Sequence, residues 1–148
     1  MDTIWLDGAQ WLAVLRIGLG LWWLESWRHK DKKTWFQGGG IRWAADIAAK
    51  HRWSAVRSGF AVTVTPRPQA MAYVVAYAEL ALGLGLVLGF LTPVALVGGL
   101  LLNGLYFVLM IHDWAEQGQN SMMGLMSVVG LFGMSWQSWS VDSALGWF

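Results

Sequence analysis

The sequence predicts an all-α fold: a bundle of four transmembrane helices with an amphipathic interfacial helix in the loop between helices 1 and 2. Three observations predict it. Hydrophobic residues make up 56% of the chain and charged residues only 13%, with a mean hydropathy of +0.45, values of a chain whose main solvent is lipid. Four apolar segments each match the roughly 20 helical residues needed to cross a hydrocarbon core of about 30 Å. Nine of the ten Lys and Arg residues fall between Arg28 and Arg67, the tenth being Arg16. Residues 1–148 read as a single integral membrane domain.

The first span is expected over 6–27. Asp2 and Asp7 precede its apolar core and Arg28-His29-Lys30 follows it, the reverse of a signal peptide's charge order, so it is expected to be retained. A hinge at Gly38-Gly39-Gly40 leads into residues 41–59, where Arg42, Asp46, Lys50 and Arg57 recur at helical spacing opposite Ile41, Ala44, Ala45, Ala48, Ala55 and Val56. That pattern predicts a helix on the membrane surface with Trp43 and Trp53 dipping into the headgroups; a partner-docking helix carries the same pattern. Val62-Thr63-Val64-Thr65 alternates like a strand but is too short to pair and stops at Pro66 and Pro68, so an extended linker is expected. The second span is expected over 70–91 and the third over 94–111, joined by the Thr92-Pro93 turn. The fourth, over 122–139, has a short apolar part that ends in Gly133-Met134-Ser135-Trp136-Gln137-Ser138.

Positive loops stay on the cytoplasmic side, which places loop 28–69 inside and both termini outside. The twelve tryptophans fit that orientation, with Trp5, Trp11, Trp136, Trp139 and Trp147 in an outer aromatic belt and Trp22, Trp23, Trp27 and Trp114 in an inner one. The basic segment is tethered between two spans and faces anionic headgroups, so the expected partners are the lipid bilayer and other membrane subunits or further copies of the chain, and no nucleic acid. The absence of cysteine excludes disulfides and cysteine-held zinc or iron–sulfur sites.

Two full charges fall within apolar spans, Arg16 and Glu79, each costing about 2.5 to 3.5 kcal/mol at mid-bilayer unless it has a partner. Ala13, Gly20 and Trp23 share the face of Arg16; Ala72, Ala76 and Gly83 share that of Glu79; Gly99 and Tyr106 share that of Asn103. Similar depths predict a direct Arg16–Glu79 ion pair near the midplane. Ala81, Gly85 and Gly89, four apart, form a small-residue stripe suited to helix packing. Two roles stay open for the polar centre. It clamps the bundle, or it forms a slot in which Arg16 or Asn103 binds a carbonyl of a quinone-like ligand, Tyr106 and Trp23 line the slot, and Glu79 moves protons.

His29 and His112 fall at the inner ends of their spans, where headgroup contact is the favoured role and haem or pigment ligation the sharper one. The methionines come without cysteine or clustered histidine and are expected to fill helix contacts. No Ser–His–Asp set, phosphate loop or paired metal-binding carboxylates appears, so no metal or flavin site of its own is expected.

Leu15-Arg16-Ile17-Gly18-Leu19-Gly20, the run from Ala78-Glu79-Leu80-Ala81 through Gly85 and Gly89 to Thr92-Pro93, and the closing Trp139-Ser140-Val141-Asp142-Ser143-Ala144-Leu145-Gly146 resemble the DoxX/DoxD-like family of four-helix membrane proteins. The resemblance spans the chain. It implies a four-helix bundle in a bacterial or archaeal cytoplasmic membrane, and a link to quinone chemistry through the DoxD-type subunit of a thiosulfate:quinone oxidoreductase. It also makes Arg16, Glu79 and Asp142 candidate site residues. The expectation is a membrane subunit of a quinone-linked redox complex. The alternatives are a structural accessory subunit packed against a larger respiratory or photosynthetic complex and a small-solute carrier.

Overall fold

The computed structural model describes residues 6–148, so Trp5 of the expected outer belt lies outside the described residues. Among these residues the protein is all-helical, with eight helices and no strand: α1 (Gly8–His29), α2 (Lys32–Phe36), α3 (Gly39–Ala49), α4 (Ser54–Thr63), α5 (Pro68–Leu88), α6 (Thr92–Leu109), α7 (Trp114–Phe132) and α8 (Val141–Leu145). Two of them, α5 and α6, are long and apolar enough to cross a membrane.

Each long helix starts where its sequence supplies a cap or a proline. Asp7 accepts from the Gln10 amide at 2.8 Å while the Gln10 side chain accepts from the Asp7 amide at 3.1 Å, a capping box that opens α1. Pro68 and Pro93 stand in the first turns of α5 and α6, where a missing N–H costs nothing. Asp113 accepts from the amides of Ala115 (3.0 Å) and Glu116 (3.2 Å) and opens α7. The expected fourth span, 122–139, is therefore corrected: α7 begins at Trp114 and ends at Phe132. The cap is a stronger start signal than the polar residues that follow it, and residues 133–140 turn instead of continuing the helix.

The long helices pack as α1 against α5 and α6 against α7, and the two pairs close around Leu19, Trp23, Leu86, Ala95, Leu96 and Met123. The α1–α5 contact is glycine-mediated. A Cβ on Gly20 would stand 2.8 Å from the Val87 amide nitrogen and 2.9 Å from the Gly83 carbonyl, so the two backbones touch there. Trp23, expected in the inner belt, is instead in this core at 1% exposure. It faces inward because it follows Arg16 by seven residues, two helical turns along the same face.

The expected interfacial helix over 41–59 is two helices, α3 and α4, broken between Lys50 and Trp53. The break comes from His51, whose buried ring accepts the Trp53 amide on Nδ1 (3.1 Å) and so donates from Nε2 to the Val108 carbonyl (3.0 Å). This ties the α3–α4 corner to the C-terminal end of α6, on the side expected to be the inner one. With Ile41 and Ala48 buried, α3 closes the inner end of the bundle, while Trp43 and Trp53 stay exposed. The expected hinge is also packed in place: Gly38 has φ +84° and a Cβ there would meet Pro68 at 3.1 Å. The alternating segment is half helical, since α4 runs to Thr63.

Candidate functional site

At the inner end of the bundle three elements converge on one carboxylate. Glu79, in the middle of α5, is 1% exposed, and both of its oxygens are engaged. Lys30 donates to Oε2 at 2.5 Å and the Tyr106 hydroxyl donates to Oε1 at 3.0 Å. Lys30 is the residue that terminates α1; its extended backbone turns the side chain back toward the bundle, where it also reaches the Ser26 carbonyl at 3.3 Å. Its ammonium lies 4.6 Å from the centre of the Trp35 ring, and Trp35 is held in turn by its indole N–H on the Ala72 carbonyl at 2.9 Å.

These groups border a cavity of about 240 Å³, lined by Lys30, Trp35, Glu79, Tyr106, Glu116 and Asn120 and walled on the α3 side by Ile41 and Trp43. Two carboxylates face one ammonium, which disfavours an anion. The aromatic walls and the Lys30 ammonium, whose contact with the Ser26 carbonyl is long (3.3 Å), suit an uncharged, planar head group with an acceptor oxygen, the Tyr106 proton being given to Glu79. Glu79 completes the set as the one internal base within hydrogen-bond reach of both donors.

Arg16 is elsewhere, which corrects the expected Arg16–Glu79 pair. Its guanidinium donates to the carbonyls of Ser135 (3.1 Å) and Trp139 (2.6 Å) and faces Asp142, whose carboxylate accepts the amides of Leu91 (2.8 Å) and Thr92 (2.7 Å). The antiparallel register explains the separation. A Cβ on Gly89 would stand 2.5 Å from Arg16 Nη1, so Arg16 is level with Gly89. The ten residues from Glu79 to Gly89 span about 15 Å of helix at 1.5 Å each. The two buried charges thus belong to clusters at opposite ends, and Asp142 joins the outer one.

The remaining expected site residues divide. Tyr106 is in the inner cavity, but Asn103 and Trp23 are packed in the core and are not among its lining residues. Ala81 and Gly85 line an outward-facing apolar groove of about 770 Å³ between α5 and α6, shared with Gly98, Leu84, Leu88 and Leu101. Gly89 is the left-handed C-cap of α5, with φ +66°, so the stripe does not build the α1–α5 contact. His29 is exposed and paired with Glu25 at 2.9 Å, and His112 is exposed; among the described residues no three His, Cys, Asp or Glu side chains cluster to hold a metal ion. Lys30, Trp35 and Glu116 escaped the sequence reading because each falls in a segment expected to contact headgroups or water. For Lys30 a signal exists: it follows Trp23 by seven residues and so continues the buried face of α1.

No protein-family model matches this chain, and no curated protein or solved structure matches it.

Proposed function

We propose that this chain is an integral membrane protein in which α1, α5, α6 and α7 all cross the bilayer, and that it is a DoxX/DoxD-like subunit of a quinone-linked redox complex that binds a quinone-like head group in the inner cavity. The buried Glu79, with Lys30 and Tyr106 as donors on its two oxygens, carries this assignment. A buried ion pair gains little stability over an apolar pair of similar shape, so its position on the wall of a cavity favours a ligand role.

The bilayer accounts for the exposed apolar surface. Only 28% of the apolar window of α5 and 33% of that of α6 is buried within the fold, whereas a core helix of a soluble protein would be mostly covered. On α1 and α7 the same exposure recurs at Leu21 (54%), Leu125 (57%) and Phe132 (81%), which supports two further spans. The basic segment then lies on the cytoplasmic side with α2, α3 and α4, and both chain ends lie outside.

Binding of a short-chain benzoquinone to the detergent-purified protein tests the assignment, read as the part of the tryptophan quenching that Trp35→Phe removes. Saturable quenching is expected, weakened roughly tenfold by Tyr106→Phe, which leaves Glu79 Oε1 a bare buried acceptor beside the ligand's carbonyl, a change of about 1.4 kcal/mol. Equal quenching in Tyr106→Phe, Glu79→Gln and the unaltered protein would sink it. The apolar groove between α5 and α6 favours a second reading, an accessory subunit or homo-oligomer that seats another helix against Ala81, Gly85 and Gly98. A partner or second copy retained in mild detergent, with no quinone bound, would select that one.

A further inference from the structure

Three hollows adjoin along the outward side of α1, and Trp22 lines all of them. The first, about 270 Å³ between α1 and α7, is walled by Gly18, Trp22, Met122, Met123 and Met126, with Gln119 beside them. The second, about 240 Å³, shares Trp22 and Gln119 with it and continues to Glu25, Ser26 and His29. The third, about 420 Å³, shares Gly18 and Trp22 and follows α1 to Glu25 and Arg28. Gly18 keeps the middle of this trough open, since nothing stands within 4 Å of the place a Cβ would occupy, and the Trp22 ring beside it is 50% exposed.

The trough is apolar at one end and ionic at the other, and two helices set the same gradient. On α1 the polar residues come late, with Glu25, Arg28 and His29 after Gly18 and Trp22; on α7, across the trough, Gln119 comes before Met122 and Met126. Ten residues from Gly18 to Arg28 cover about 15 Å of helix, half of a hydrocarbon core of about 30 Å. That is the depth of one leaflet. Methionines suit its apolar end, because an unbranched thioether conforms to a flexible chain.

At the ionic end one guanidinium and one carboxylate have bonding capacity to spare. Arg28 donates to Glu25 from Nε and Nη2, each at 2.6 Å, and His29 Nδ1 lies 2.9 Å from Oε1. Among the described residues Arg28 Nη1 has no acceptor, and Glu25 Oε2 takes only the Arg28 Nε–H. The flanking cations are engaged elsewhere, Lys30 on Glu79 and Lys32 on the Trp27 carbonyl and, at 4.1 Å, the Trp27 ring. We propose that the trough is a site for a phospholipid with an ethanolamine head group. One acyl chain lies between Gly18, Trp22 and the methionines, the phosphate accepts from Arg28 Nη1, and the head-group ammonium donates to Glu25 Oε2. A choline head group has no N–H to give the carboxylate, and a phosphoglycerol head group adds an uncompensated negative charge to a neutral pair. The site rests on the reading of α1 and α7 as membrane spans and does not depend on quinone binding in the inner cavity.

Native mass spectrometry of the full chain, extracted from vesicles of equal parts ethanolamine, choline and glycerol phospholipid with identical acyl chains, tests it. Retention of one ethanolamine lipid per chain is expected, about threefold above either other class, the scale of an exposed charge pair. Gly18→Leu, whose Cβ meets nothing but whose side chain fills the trough, should lose the retained lipid. Glu25→Ala, which leaves Arg28 without its counter-charge, should turn the preference to the glycerol lipid. Equal retention of the three classes, a choline or glycerol preference in the unaltered protein, or full retention in Gly18→Leu overturns the site. Flotation of the same vesicles separates this from the membrane reading. A chain left behind by the floating vesicles overturns both, whereas one that floats with them and shows no lipid preference overturns the lipid site alone.

Discussion

Lys30 and Glu79, 49 residues apart in sequence, meet at 2.5 Å with the carboxylate 1% exposed and the ammonium side chain 11% exposed. The contact joins the inner end of α1 to the centre of α5, while the Tyr106 hydroxyl brings in α6. Removing one partner strands the other charge. Lys30→Met should destabilise the protein by about 3 kcal/mol, and Lys30→Met with Glu79→Leu should recover most of that loss. Thermal unfolding of the two variants in one detergent checks this; equal losses in both would show that the ammonium does not compensate the carboxylate.

At the opposite end Asp142 closes the bundle. Its carboxylate takes the two amides that begin α6 and faces Arg16, and its own amide donates to the Gly89 carbonyl at 2.9 Å. Asp142→Ala should cost about 2 to 4 kcal/mol, because two buried N–H groups lose a charged acceptor and the Arg16 guanidinium loses a nearby counter-charge. Asp142→Asn, which keeps one acceptor, should cost about half as much. A denaturation series in mixed micelles gives the ranking, and equal stability for all three proteins would refute it.

Backbone contact between α1 and α5 makes a sharp comparison of two glycines. Gly20→Ala would place a methyl within 3 Å of the α5 backbone, whereas nothing lies within 4 Å of the corresponding position at Gly104. The first change should destabilise by about 1 to 3 kcal/mol. Gly104→Ala, inside a helix and facing open space, should be neutral or stabilise by up to about 1 kcal/mol. Melting temperatures of both variants decide it.

His51 is the fastening between the inner helices and α6. His51→Ala removes the bond to the Val108 carbonyl and the acceptor for the Trp53 amide. Tryptic cleavage after Arg52 and Arg57 should then accelerate roughly tenfold, corresponding to about 1.4 kcal/mol less resistance to local opening. Unchanged cleavage rates would show that α3 and α4 are held by packing alone.

The Thr34 hydroxyl and the Lys33 amide hold the Asp31 carboxyl below its ordinary value of 3.8. A lowered folded value means that the α2 cap contributes above the ordinary value and loses that contribution as pH falls through the folded one. Thr34→Val should move the Asp31 titration midpoint upward, as read by carboxyl NMR. A midpoint unmoved by the substitution would mean that the hydroxyl does not set it.

Hydrophobic pattern alone is enough to read an all-helical chain with apolar helices near 70–91 and 94–111, because apolar length and proline at a helix start are local properties. The inward faces of Arg16, Glu79, Asn103 and Trp23 are legible for the same reason: residues three, four and seven apart share a face whatever the helix packs against. Partner choice is not local. Arg16 and Glu79 look like a pair until the Gly20 contact sets the α1–α5 register and leaves them about 15 Å apart along the helix. That register hands Glu79 to Lys30 and Tyr106, and Arg16 to the C-terminal segment. Only the tertiary structure decided those pairings, since a one-turn slide of one helix on another changes every cross-helix neighbour without altering a single local preference.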